Sequence, residues 1–398
     1  MALVASAITI HAAPMSGILA DCSSKGISLR QVEYGQRLRN GPAEVLRTYN
    51  KYAWFGSSGK RPYLVQRVAE TWANASVEAR PEDYETSYTC TITIGQDSFD
   101  MNIDTGSADL WVFSAQLPGN LIGNHTAYNP SKSGQPLQNH SWGISYADGS
   151  GAAGIVYSDK VVVGGATVTN QAVQAATSIS QSFVVHEKYD GIVGLGFNNM
   201  NTVKPQQQKT FFDNVKDSIP QRLFTATLKH NSPGSYDFGF LNRSKFRGEI
   251  VYVPVDASRG LWTFDAGSFS VGNGRLQGRI GKAVADTGTT LLFVPQGIAN
   301  AYYNQAPGAR YDRSQGGYIV PCDSRQLPAF NIQIGSQTIS VPGYLLTYSP
   351  VGQGMCFGGI QPSQQRDFNI FGDIFLKAVY AVFDMTQDQP RLGFAPQA

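Results

Sequence analysis

An all-β chain folded into two related lobes, with a separate segment ahead of them, is what the residue pattern predicts. Length is the first ground: 398 residues exceed the ~250–300 at which a single core stops growing. Composition is the second. The chain holds 19 Tyr, 21 Phe and 42 Gly, a strand-and-turn signature, and the glycines follow no collagen-like period. The third is a repeat: DTGSADLWVF begins at Asp104 and DTGTTLLFVP at Asp286.

The same numbers exclude several classes. Hydrophobic residues make up 42% and charged residues only 15%, against about 25% charged in an average soluble domain, so disorder and coiled coil are ruled out. No run approaches the ~18 apolar residues of a membrane span, and no membrane association is expected. Residues 1–79 carry nine Lys/Arg and five Asp/Glu, while the remainder is slightly acidic. A nucleic-acid binder concentrates its positive charge on the main body, so no nucleic-acid partner is expected. The cysteines at 22, 90, 322 and 356 contain no CxxC, and the five histidines have no ligand spacing. Neither metal nor cofactor is therefore expected. Cys322 and Cys356 enclose one β-rich stretch and could form a disulfide.

In chain order, residues 1–27 open with the apolar run ALVASAITIHAAP, a weak leader that lacks a basic start. Residues 28–79 are basic and rich in helix-compatible stretches, PAEVLRTYNKYAWF and RPYLVQRVAETWANAS. Residues 80–260 begin a body of alternating strands. TCTITIGQDSFDMNID reads as a hairpin with Phe99, Met101 and Ile103 on one face, and GIVYSDKVVVGGATVTNQAVQAA repeats the theme. QKTFFDNVKDSI, residues 208–219, has helical spacing. Residues 261–398 form the second lobe. Each Asp-Thr-Gly is followed by an apolar-apolar-Gly element, Ile192-Val193-Gly194 and Ile370-Phe371-Gly372, at intervals of 90 and 86 residues.

A single Asp-Thr-Gly is an ordinary turn. Two copies, each ending an apolar strand at the matching place in a duplicated half, point to chemistry. Carboxylates ~3 Å apart cannot ionise independently and share one proton. One then acts as base toward a water while the other donates to a carbonyl oxygen, which hydrolyses an amide without metal or covalent intermediate. Gly106 and Gly288 let backbone N–H groups approach the acids. The hydroxyls of Thr105 and Thr287 could tie the two turns together. Ser107 and Thr289 could donate to the outer carboxylate oxygens or satisfy their own turns.

The chain resembles the pepsin family of aspartic proteases, and the mould pepsins in particular. The resemblance covers roughly 84–398 and rests on FDMNIDTGSADLWVFS, SWGISYADGS, AVADTGTTLL, YDFGF, FNIFGDIFLKAVYAVFD and RLGFAPQA. It implies the bilobal pepsin-like fold, with lobes related by a pseudo-twofold axis, and an aspartic endopeptidase active at acidic pH. Asp104 and Asp286 match the catalytic pair. Tyr146 matches the flap tyrosine, whose hydroxyl would meet the indole N–H of Trp111, and Gly149, Gly151 and Gly154 give the flap hairpin its freedom; Tyr146 alone would read as an ordinary strand aromatic. Asp148 implies tolerance of Lys beside large apolar residues at P1, or else a turn bonded to its own backbone. Phe183 and Ile192 match the P1 pocket wall and equally suit plain core. Residues 28–79 resemble a propeptide acting as intramolecular inhibitor, with Lys51 and Tyr52 reaching the acids and maturation between about Glu70 and Glu82. Cys322 and Cys356 match the family's C-terminal disulfide. Protein and peptide substrates, a monomer, and a secreted or vacuolar location are implied.

Gly149, Gly151 and Gly154 also match GxGxxG, but a strand follows where a dinucleotide site needs a helix. Asn124, Asn139 and Asn242 sit in sequons open to glycosylation; Asn74 would leave with the propeptide. Cys90 departs from the mould pattern and is expected as a buried free thiol, or bridged to Cys22. The rival reading is a catalytically inactive pepsin-like binding protein. Such a protein lacks one Asp-Thr-Gly turn or the flap tyrosine, and this chain has all three.

Overall fold

Apolar residues spaced two apart become paired strands along nearly the whole described chain, which comprises residues 26–38, 40–53, 84–145, 151–186, 189–363 and 368–398 of this computed structural model. The N-terminal segment supplies β1 (Ile27–Leu38) and α1 (Gly41–Tyr52). The first lobe holds β2 (Tyr84–Ile94), β3 (Asp97–Asp104) and β4 (Leu110–Val112), then β5 (Gln135–Ser145), β6 (Gly151–Val163), β7 (Ala166–Ile179) and β8 (Gly191–Gly194). There follow β9 (Leu223–Thr227), β10 (Ser235–Phe238) and β11 (Val251–Pro254). The second lobe opens with β12 (Thr263–Ala266), β13 (Phe269–Val271), β14 (Gly281–Ala285) and β15 (Leu292–Val294).

The two halves repeat one crossing pattern. In the first, β3 runs parallel to β8 with Asp104 opposite Gly194. β8 is antiparallel to β4, and β4 is parallel to β7. In the second, β14 runs parallel to Asn369–Phe371, with Ala285 opposite Phe371. That strand is antiparallel to β15, which is parallel to Ile360–Pro362. Each Asp-Thr-Gly turn thus leaves its strand beside an apolar-apolar-Gly element. The glycines are required by close approach: a Cβ on Gly194 would stand 2.5 Å from the Asp109 nitrogen, and one on Gly372 would stand 2.3 Å from the Thr289 carbonyl oxygen.

A 13-stranded sheet links the halves. β1 lies inside it, paired with β10 on one side and β2 on the other. Val379–Asp384 pairs with β9, and Arg391–Pro396 with β11. The last strands therefore cross back over the 260/261 boundary drawn from sequence. Phe224 of β9 stacks on Phe383 at 4.5 Å, and the Trp262 indole N–H donates to the Leu195 carbonyl at 2.8 Å. Apolar burial is thus continuous from one lobe to the other.

The hairpin at 90–104 forms as expected, with Phe99, Met101 and Ile103 buried. One element was not foreseen and one expectation is corrected. Residues 28–38 form a strand because Ile27 and Leu29 are buried while Ser28 and Arg30 are exposed, a period of two. The helix expected over 208–219 spans only Phe211–Val215, capped where the Thr210 hydroxyl accepts from the Asp213 N–H. Its end is chemical: Ser218 Oγ donates to the Val215 carbonyl at 2.7 Å, and Pro220 keeps the residue before it out of the helical region. Cys322 and Cys356 form a disulfide, and Cys90 is a buried free thiol. Cys22 lies outside the described residues. No described helix is long and apolar enough to cross a membrane.

Candidate active site

The two Asp-Thr-Gly turns meet where the halves abut. Each threonine reaches across to the other turn. The Thr105 N–H donates to Thr287 Oγ1 at 3.1 Å, and the Thr287 N–H donates to Thr105 Oγ1 at 3.0 Å. Each hydroxyl then donates to the strand behind the opposite turn, Thr105 to the Ala285 carbonyl (2.8 Å) and Thr287 to that of Ile103 (2.7 Å). Four buried hydrogen bonds in two symmetric pairs fix the spacing of the acids.

The acids are held alike. Asp104 Oδ1 accepts from the Gly106 N–H at 2.8 Å and Oδ2 from Ser107 Oγ at 2.6 Å. Asp286 Oδ1 accepts from the Gly288 N–H at 2.9 Å, and Oδ2 accepts from the Thr289 hydroxyl. A Cβ on Gly106 would lie 2.5 Å from Asp286 Oδ1, and one on Gly288 would lie 2.2 Å from Asp104 Oδ1. Only glycine admits the facing carboxylate at either place.

Lys51 bridges the pair, with Nζ 2.7 Å from Asp104 Oδ1 and 3.0 and 3.1 Å from the two oxygens of Asp286. Tyr52 donates its hydroxyl to Asp286 Oδ2 at 2.6 Å. Burial pushes the Asp104 carboxyl above the usual range; the Lys51 charge opposes this and the Asp286 charge adds to it. Burial also presses on Asp286, but Lys51 and the hydroxyls of Thr289 and Tyr52 outweigh it and hold that carboxyl below the usual range. Burial acts to lower the Lys51 ammonium, and the two carboxylates more than reverse it.

Helix α1 aims Lys51. Asn40 caps it by accepting from the Ala43 N–H at 3.0 Å. Gly41 stands against Phe357, where a Cβ would clash at 2.0 Å. One turn on, the buried Glu44 accepts from Thr290 Oγ1 at 2.9 Å and pairs with Arg47 at 3.1 Å. Tyr52 packs edge-on to Phe368 at 5.6 Å.

The first lobe supplies an apolar wall beside Asp104. Trp111 stacks on Trp142 and meets Phe183 edge-on at 5.8 Å. Phe183 and Ile192 line the cleft with it. The Trp111 Nε1–H has no partner among the described residues. Tyr146, Asp148 and Gly149 lie outside those residues. Asn124 and Asn139 are exposed, the latter at φ 61°. Asn242 Oδ1 accepts from the N–H and hydroxyl of Ser244. No cluster of three metal-ligating side chains occurs among the described residues.

The sequence reading did not single out Asp109. It is buried, and its Oδ1 accepts from Asn201 Nδ2 (2.9 Å), the Thr202 N–H (2.9 Å) and Thr202 Oγ1 (3.2 Å). Burial pushes its carboxyl up to about 6 despite the donors from Thr202 and Gln174. The signal was available: five residues past Asp286 the repeat has Leu291, so a charge stands where its counterpart is apolar. Glu44 and Thr290 were missed as well, because nothing local marks a contact spanning 246 residues.

Two acids on paired strand-end turns in a duplicated β-fold define an aspartic-type endopeptidase, and the chain belongs to the eukaryotic aspartyl protease family, whose model matches residues 87–397. Among its relatives, Aspergillopepsin-1 of Aspergillus pseudoglaucus is 44% identical over 398 residues, covering 100% of this chain and 98% of the relative. Penicillopepsin-1 of Penicillium janthinellum is 49% identical over 319 residues (80% and 97%), and Penicillopepsin-2 of the same organism is 47% identical over 342 (85% and 84%).

Proposed function

We propose that the chain is the zymogen of a secreted endopeptidase of acidic environments, in which Asp104 and Asp286 activate a water between them. With α1 displaced, the pair shares one proton, behaviour for which pepsin is a standard reference case. The ionised carboxylate takes a proton from the water as its oxygen attacks the peptide carbonyl carbon. The protonated carboxyl gives its proton to the carbonyl oxygen, forming a tetrahedral diol. Transfer of a proton to the amide nitrogen then breaks the C–N bond and leaves a carboxylic acid and an amine. The threonine cross-bonds keep the acids in register without moving during the reaction.

The observation that carries this reading is one ammonium shared by both acids. It supports assigning residues 28–79 as a propeptide that inhibits by occupying the water's place. Acid protonates the carboxylates, weakens the Lys51 pairing and frees the segment, with the cut between about Glu70 and Glu82. Trp111, Phe183 and Ile192 suit a large apolar P1 residue, and Asp148 at the flap would accept a P1 lysine. Tyr146 would close over substrate with its hydroxyl on Trp111. Protein and peptide substrates, a monomeric enzyme, and glycans on Asn124, Asn139 and Asn242 belong to the same reading. Casein hydrolysis at low pH, with and without Asp286→Asn, tests it. Loss of activity in the variant is expected, and activity that survives rejects the two-acid mechanism.

A further inference from the structure

We propose that Asp109 is a positioning residue for substrate binding: through the loop at 198–208 it sets where β5 stands over the cleft. β5 is the outermost strand of its sheet and pairs with β6 alone. On its free edge one backbone contact is made among the described residues. There the Ser141 N–H donates to the Lys204 carbonyl at 3.0 Å, and the Lys204 N–H donates to that of Ser141 at 2.8 Å. The residues just past this contact, Gly143, Ile144 and Ser145, line the cleft. The loop that carries Lys204 is therefore an outer rail for that wall.

Asp109 pins the rail at its other end. Its Oδ1 is the shared acceptor for Asn201 Nδ2 and for both the N–H and the hydroxyl of Thr202, two residues before Lys204. Asn201 closes the loop by accepting from the Gln208 N–H at 2.8 Å. Asp109 is fixed in turn to the strand beside the acid: the Gly194 N–H donates to the Asp109 carbonyl at 2.9 Å, and the Leu195 N–H to that of Asp104 at 2.8 Å. One chain of short bonds thus runs from Asp104 to β5. All of it lies in the first lobe, so it outlasts the loss of α1. In the second half Leu291 stands at the matching place, and Gly372 leads into a short helix, Asp373–Leu376. Removing the Asp109 acceptor strands buried donors, so the rail shifts and the wall shifts with it. Wall contacts serve bound substrate and transition state alike, and their loss falls on KM.

Kinetics of the matured enzyme at pH 4, on a quenched peptide with phenylalanine at P1, test this. The protein is made in a host that adds no glycans, because Ser141 completes the sequon at Asn139. Burial pushes the Asp109 carboxyl up to about 6, with the Asp104 charge adding to it, while Asn201, Thr202 and Gln174 around it are neutral. At pH 4 the group is thus uncharged, and asparagine matches its charge and keeps an acceptor. Asp109→Leu should raise KM at least about tenfold with kcat held within about threefold, and Asp109→Asn should keep KM within about threefold of the parent. Ser141→Pro, a change that an edge strand tolerates, cuts the bond to the Lys204 carbonyl at the far end of the rail. It should raise KM at least about fivefold, and adding it to Asp109→Leu should raise KM little further. An unchanged KM in either single variant, no recovery in Asp109→Asn, or effects that multiply in the double variant would overturn the proposal. Should Asp109→Leu not fold, the KM of Ser141→Pro decides alone. The inference rests on the two-acid cleft being the substrate site. Activity surviving in Asp286→Asn rejects that reading, whereas an unchanged KM here rejects only the role of Asp109.

Discussion

Replacing Asp109 by Asn should trade stability in acid for stability at neutrality. The Asp109 carboxyl is buried and is pushed from 3.8 to about 6. Below the lower value both the folded and unfolded chains hold the proton, and the group is neutral to stability. Between the two values the folded chain binds more protons, so stability falls as pH rises. Two pH units at 1.36 kcal/mol each give a loss of about 3 kcal/mol by pH 7. Asparagine carries no charge and keeps an oxygen for Asn201 and Thr202. Its NH₂ faces Gln174, whose amide must turn to accept and thereby releases the Asn201 Nδ2 donor, at a cost of about 1 kcal/mol. The variant should thus be about 1 kcal/mol less stable near pH 4 and about 2 kcal/mol more stable near pH 7. Urea unfolding at both pH values, in an Asp286→Asn background that prevents self-digestion, reads this directly. A difference of the same sign and size at both would refute the reasoning.

Thr105→Ala removes the donor to the Ala285 carbonyl and the acceptor for the Thr287 N–H; unfolding free energy should drop by about 2–4 kcal/mol, and casein hydrolysis should fall with it. Gly288→Ala places a methyl 2.2 Å from Asp104 Oδ1, and the resulting displacement should lower kcat at least about hundredfold while the lobes still fold by circular dichroism. Lys51→Met leaves two buried carboxylates facing each other without a cation. Because Lys51 holds Asp286 low, its stabilisation is present above the ordinary carboxyl range and is lost as pH falls; the variant precursor should be less stable at neutrality and should convert at higher pH, followed by gel mobility. An unchanged conversion pH would remove Lys51 from the inhibitory role.

What the sequence made legible was whatever local spacing encodes. The two Asp-Thr-Gly turns, the hairpin at 90–104 and the helix at 41–52 are written in runs of ten or so residues. The Thr105–Thr287 cross-bonds were foreseeable because the repeat gives each hydroxyl an equivalent opposite. The insertion of β1 between β10 and β2 was not, since pairing Ile27 with Phe238 depends on partners over two hundred residues away. Glu44 escaped for the same reason. At Phe211 the helical spacing was real, but Ser218 and Pro220 ended the helix early.

The placement of Val379–Asp384 and Arg391–Pro396 has a consequence for biosynthesis. These strands seal the linking sheet against β9 and β11, yet they leave the ribosome well after both. Until they emerge, Phe224 has no Phe383 to lie against and the seam between the halves stays wet. Nascent chains would therefore wait, half assembled, for these two strands to arrive. Removing those two strands should harm assembly far more than their length suggests.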